Sequence, residues 1–162
     1  MRAIDIATSR VVVVSPEQSL RAAALLLEQH MAGCLVVVRA NEPNLLPIGI
    51  ITDRDISRLA VAEAADAGST RVGSVMSCPP VLCSHDATLT EIVDIMHGSG
   101  LRRLPVADPA GRLVGIVTAD DALVALTQLL QQLTEVLVVE PSLKDRLVAM
   151  QSVREAGDSG SP

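Results

Sequence analysis

The chain has 162 residues, a net charge of −6 and a mean hydropathy of +0.40, with 49% apolar residues and no Phe, Trp or Tyr. That length suits one compact domain or two small units sharing a core, and the apolar share excludes a disordered chain. The missing rings leave no stacking platform for single-stranded nucleic acid, and 13 Lys plus Arg against 19 Asp plus Glu argue against a phosphate-backbone binder.

An anionic ligand therefore requires a local positive pocket. The odd and sparse cysteines, Cys34, Cys78 and Cys83, predict reduced thiols in a cytoplasmic protein. Asp5 interrupts the apolar run that a signal peptide needs. No apolar stretch nears the ~20 residues that span a bilayer.

In chain order, the β-branched run Val11–Val14 predicts a first strand. Ser19 then opens a helix whose apolar face is Leu20, Ala23, Ala24, Leu27 and Met31, and Gly33 breaks it. Leu35–Val38 is strand-sized. After a loop over 39–48, Gly49-Ile50-Ile51 leads to Thr52, where a second helix begins. Ala62–Arg71, rich in Ala, Glu, Asp, Gly, Ser and Thr, is a linker.

The pattern then returns. Val81–Cys83 is a short strand, and Thr88-Leu89-Thr90-Glu91 fits a capping box. Leu89, Ile92, Val93 and Met96 form the next helical face, with Gly98 and Gly100 as breakers. Leu104-Pro105-Val106 and Leu113–Val117 are strands joined by the turn Asp108-Pro109-Ala110-Gly111. A long helix follows Thr118. Its stripe of Leu123, Leu126, Leu130, Leu133 and Leu137 serves either a second subunit or the chain's own core. Pro141 ends this helix, Ser142–Met150 is a candidate short helix, and Glu155–Pro162 reads as a frayed tail.

Two copies of one unit account for this order. Gly49-Ile50-Ile51-Thr52-Asp53-Arg54-Asp55 matches Gly115-Ile116-Val117-Thr118-Ala119-Asp120-Asp121 at four of seven positions, at an offset of 66. Upstream, an offset of 69 pairs Ser15 with Ser84, Leu20 with Leu89, Leu35 with Leu104 and Val37 with Val106. The difference falls in the loop 39–48, where insertions cost little. The predicted fold is α+β, with β-α-β-β-α occurring twice. The expected division is 1–66 for the first repeat, 67–135 for the second and 136–162 for a helical extension and tail.

The shared segment Gly-apolar-apolar-Thr-x-x-Asp supports two readings. The plain one is a capping box in which Thr52 or Thr118 is the N-cap. The functional one uses the same corner. A helix start accepts phosphate, a hydroxyl there binds a phosphate oxygen, and a carboxylate one turn on accepts both hydroxyls of a ribose. Its occurrence twice, each time after a glycine, strengthens the second reading.

At Gly49–Asp55, Gly115–Asp121, Leu104-Pro105-Val106 and Val75-Met76-Ser77 the sequence resembles a tandem pair of cystathionine-β-synthase (CBS) domains, a Bateman module of the stand-alone bacterial type. The resemblance covers roughly residues 1–135. It implies two repeats packed with pseudo-two-fold symmetry, usually dimerised, with clefts between them for AMP, ADP, ATP, S-adenosylmethionine or another adenosyl compound. By position it implies that Asp55 and Asp121 hold ribose hydroxyls and that Thr52 and Thr118 touch phosphate or ribose. Thr8 and Ser77 would lie near base or sugar, and backbone around Val13 and Leu82 would read adenine. Arg102 and Arg103, just before Leu-Pro-Val, would neutralise phosphate, with Arg54 as a second clamp.

The first copy departs from this pattern. It has Leu35-Val36-Val37 for Leu-Pro-Val and Gly33-Cys34 where the second has its arginines, while Asp120 stands where the first has Arg54. The two clefts are therefore not equivalent.

Other signals carry less. Gly157-Asp158-Ser159-Gly160 sits in a polar tail without a triad. Cys78, Cys83 and His85 match no strong zinc spacing. His30 and His97 sit near helix ends, and Gly98-Ser99-Gly100 lacks a third glycine. No Walker A, His-Glu-x-x-His or Gly-x-Ser-x-Gly string occurs. The expectation is a cytoplasmic homodimer with no catalytic residue, no metal and no cofactor. It senses an adenine nucleotide and signals to a regulated protein. The alternative is a purely structural dimerisation module.

Overall fold

The computed structural model describes residues 1–39 and 45–139, and side chains as far as residue 137. The Pro141 stop, the Ser142–Met150 helix and the Glu155–Pro162 tail lie outside the described residues. The chain divides into two compact units, Met1–Ala125 and Leu126–Pro162.

Within the first unit, helix α1 (Ala3–Ile6) leads to β1 (Val13–Val14), α2 (Leu20–Gln29), β2 (Cys34–Val38), β3 (Pro47–Thr52) and α3 (Asp53–Ser57). A π-helical turn over Arg58–Ala62 and a 3-10 turn over Val72–Ser74 follow. The second copy runs β4 (Cys83–Ser84), α4 (Leu89–Ser99), β5 (Arg103–Ala107), β6 (Leu113–Thr118) and α5 (Ala119–Val139). The β-α-β-β-α order is therefore present twice.

Each copy builds a three-stranded sheet, β1-β2-β3 and β4-β5-β6, whose first pair is parallel and second antiparallel. The registers agree. Val37 stands opposite Gly49 as Val106 stands opposite Gly115, and both sheets slip register one residue later. All five residues of β2 are buried, as expected of a central strand covered on both faces. Leu35 and Val37 join one core, with Leu20, Ala23, Leu27, Ile51 and Ile56. Leu104, Val106, Ile92, Met96 and Val117 join the other. Aliphatic side chains, each worth ~1.5–3 kcal/mol when fully buried, replace the missing rings.

The lead segments are exchanged between copies. Ala3, at the head of copy one, is buried in the second core, and Val72, at the head of copy two, is buried in the first. Four isolated antiparallel bridges complete the exchange: Arg2 with Thr88, Thr8 with Ile116, Ser19 with Arg71 and Ile50 with Ser77. Arg2–Thr88 corresponds to Arg71–Ser19 at the offset of 69 in both partners, and Thr8–Ile116 to Ser77–Ile50 at offsets of 69 and 66, which is the pseudo-two-fold relation in backbone form.

Several expectations need correction. The run Val11–Val14 forms a strand only at Val13–Val14, and Val81–Cys83 only at Cys83–Ser84, because the parallel pairing with β2 and β5 is two residues long. Gly33 does not end α2. His30 caps the helix, and Met31 takes a positive φ of 48° and is 94% exposed rather than part of the apolar face. Gly98 lies inside α4. Gly100, with φ 68° in the left-handed region, ends it. Val93 is exposed instead of buried. Ser19 and Thr88 cap their helices as expected, accepting from Ala22 N–H and Glu91 N–H.

The second unit, taken by itself, is described over 126–139, the continuation of α5. Leu126, Leu130, Leu133 and Leu137 of the stripe are exposed, as is Leu123 in the first unit. No helix of the described residues is long and apolar enough to cross a membrane.

Candidate functional site

Both Thr-x-x-Asp corners form complete capping boxes. Thr52 Oγ1 accepts from Asp55 N–H at 3.2 Å, while Asp55 Oδ2 accepts from Thr52 N–H at 3.0 Å and from its hydroxyl at 2.7 Å. Thr118 and Asp121 repeat this at 3.1, 2.8 and 2.7 Å. The plain reading therefore holds at both corners. It does not exhaust either carboxylate, since every cap bond falls on Oδ2 and Oδ1 has no hydrogen bond among the described residues.

One corner opens on a cavity of about 260 Å³, near the lower end of small-molecule sites. Thr52 and Asp55 line it with Ser77, which the Ile50–Ser77 bridge holds in place. Arg102 and Arg103 enter from the second copy at the start of β5, where Ala119 N–H donates to Arg102 O at 2.9 Å. Ile50, Pro79, Pro80, Val81, Leu101 and Pro105 supply apolar walls. Five of the residues expected from sequence thus meet round one space.

The others are placed differently. Arg54 is exposed on α3 and does not line this cavity, because one helical position turns it away from Asp55. Leu82 is exposed and outside the lining, and Val81 takes that part of the wall. Thr8, Thr118 and Asp121 belong to the related corner, where Thr8 and Ile116 exchange backbone bonds at 2.9 and 3.0 Å. Val13 lies in β1. The wall residues Pro79 and Pro80 were not anticipated. Their signal was the Pro-Pro pair after Ser77-Cys78, which favours extended backbone.

The shared glycine of the motif also has a structural cause. A Cβ on Gly49 would lie 2.9 Å from Met76 Cγ and 3.1 Å from Ser77 O, and one on Gly115 would lie 3.1 Å from Ala7 Cβ and 3.2 Å from Thr8 O. Each glycine is where the other copy's lead segment crosses the strand.

Charge favours this cavity for an anion. Neither Arg102 nor Arg103 has a carboxylate within 4.0 Å among the described residues. A larger groove of about 430 Å³ is lined by Asp86, Glu91 and Asp94 with Ser84, Ala87 and Ile95, and three carboxylates repel phosphate. Burial pushes the Cys34 thiol up, and the Arg103 charge opposes that shift from nearby. Burial likewise raises Cys83, whereas Cys78 is exposed; all three are free thiols. No grouping of three or more His, Cys, Asp or Glu suited to a metal occurs among the described residues.

Two like repeats within the first unit, with exchanged lead segments and a polar cleft between them, define a tandem-repeat α+β module. The chain belongs to the CBS domain family, whose profile matches residues 3–62 and 72–128. It is similar to the CBS domain-containing protein YhcV of Bacillus subtilis, 38% identical over 117 residues, covering 72% of this chain and 79% of that one. It is also similar to an uncharacterised protein of Methanopyrus kandleri, 33% identical over 119 residues, covering 74% of this chain and 59% of that protein. This chain thus spans less than two thirds of that relative. Among solved structures it is similar to CBSX2 of Arabidopsis thaliana in complex with AMP. The TM-score is 0.69 at 27% identity, over 79% of this chain and 97% of that one.

Proposed function

We propose that this chain is a regulatory module that binds an adenosyl compound, AMP, ADP, ATP or a similar molecule, between its two repeats. The observation that carries this is the cavity shared by Thr52, Asp55, Ser77, Arg102 and Arg103. In this reading Asp55 Oδ1 accepts the ribose hydroxyls and Thr52 and Ser77 contact sugar or phosphate. The arginines neutralise the phosphate, and the aliphatic walls enclose the base. The AMP held by CBSX2 supports that ligand class. The Thr118–Asp121 corner, with Thr8 beside it and Val13 in β1, is the second and less basic cleft.

Signalling requires that the ligand bind two states of the module with different affinity. The module works as a cytoplasmic homodimer that hands this difference to a regulated protein, without catalysis. The exposed leucines of α5 support the dimer, and the three free thiols support the compartment. Calorimetry with AMP, ADP, ATP, NAD and S-adenosylmethionine tests the ligand. Binding that Asp55→Ala abolishes supports the site, and no heat with any of the five refutes it.

A second reading, a structural dimerisation module, draws on the complete capping boxes. It expects a stable dimer whose melting temperature ignores every nucleotide.

A further inference from the structure

Arg103 starts in the second copy, opposite Thr118 in the β5–β6 ladder. Its guanidinium ends over Gly33 in the first copy. A Cβ at Gly33 would stand 2.6 Å from Nη2 and 2.9 Å from Cζ. Gly33 O in turn accepts from Asp53 N–H at 3.5 Å, so this glycine borders the Thr52–Asp55 corner. The guanidinium can lie there only because position 33 has no side chain. Gly33 does not need glycine for its backbone, since its φ is outside the left-handed region.

We propose that Gly33 is a positioning residue that makes the Thr52–Asp55 cavity discriminate for a phosphate: its missing side chain lets Arg103 reach across from the other repeat to the cavity wall. The ligand class narrows from adenosyl compounds in general to those carrying phosphate. This rests on the adenosyl reading above and deepens it. At the offset of 69, Gly33 and Cys34 occupy the positions of Arg102 and Arg103, so the first repeat has no side chain and a short buried thiol where the second extends two arginines. The Thr118–Asp121 corner has no arginine at the matched positions, which hold Gly33 and Cys34. The demand for phosphate is therefore one-sided.

The test is calorimetry of the full chain with AMP and with adenosine, on wild type, Gly33→Ala, Arg103→Ala and the double variant. A charge-assisted bond to phosphate corresponds to about tenfold in affinity or more. Wild type is expected to prefer AMP over adenosine by at least that factor. Gly33→Ala displaces a flexible guanidinium and no backbone, so it should bring the ratio towards one while adenosine binding is unchanged. In the Arg103→Ala background it should change nothing further, which a general loss of structure would not reproduce. The proposal is overturned if Gly33→Ala keeps the AMP preference, or if it weakens adenosine as much as AMP. Equal affinity of wild type for AMP and adenosine overturns it alone and leaves the adenosyl reading standing. No heat with either compound removes both. Should the glycine variant fold poorly, Arg103→Ala keeps the proposal falsifiable: a retained AMP preference overturns it, and a lost one supports the arginine that Gly33 admits.

Discussion

Ile50 and Ser77 exchange a pair of backbone hydrogen bonds, at 3.1 Å and 2.9 Å, that tie the lead segment of the second repeat to a strand of the first. This bridge sets Ser77 against the Thr52–Asp55 corner and leaves no room for a side chain at Gly49. Ser77 O is backbone and cannot swing aside. Gly49→Val is therefore expected to cost ~1–3 kcal/mol through overpacking, and Gly115→Val a similar amount. Urea denaturation of the two variants checks both.

Removal of residues 1–8 is expected to weaken the second core more than the first. The segment donates Ala3 N–H to Ala87 O at 2.7 Å and Ile4 N–H to His85 O at 3.0 Å, and it buries Ala3 in that core. Amide exchange should rise in β4, β5 and β6 before β1, β2 and β3. Faster exchange confined to the first sheet would contradict the exchanged arrangement.

Thr52→Ala and Thr118→Ala each remove an N-cap and should each cost ~1 kcal/mol. Only Thr52 lines the cavity. Matched denaturation curves should therefore accompany unequal calorimetry, with AMP affinity at the Thr52–Asp55 cavity falling for Thr52→Ala and unchanged for Thr118→Ala.

Stability should fall at both ends of the pH scale. Hydrogen bonds from Arg112 hold Asp108 below the ordinary 3.8, and those from Thr88 hold Glu91 below 4.5. Folded carboxylates of this kind bind fewer protons than unfolded ones, so their contribution is present above about pH 4.5 and is lost as pH drops further. Burial raises Cys34 and Cys83 above the ordinary 9.0. The unfolded thiols ionise first, and stability declines as pH climbs beyond about 9. Melting temperature against pH reads both limbs.

Cys78 is exposed between the cavity residues Ser77 and Pro79, while Cys34 and Cys83 are buried. A thiol reagent should titrate one cysteine in the native chain and three in denaturant. AMP should slow the native reaction. Three fast thiols in the native state would contradict the buried placement of β2 and β4.

Periodicity and capping determined much of this protein in advance. The twice-written Thr-x-x-Asp, the leucine and valine spacing and the Ser19 and Thr88 caps are local properties, and each element they mark is present. What the motif glycines were for was not legible, because the atoms that exclude a side chain at Gly49 come from Met76 and Ser77. Nor could periodicity tell that Ala3 and Val72 serve the opposite cores, since an apolar residue does not name the surface it will meet. Arg102 and Arg103 could be nominated from sequence, but that Arg103 crosses to Gly33 depends on how two sheets approach. Short-range bonding chose the elements. Long-range packing, which brings residues about 70 apart within contact, chose which corner became a cavity.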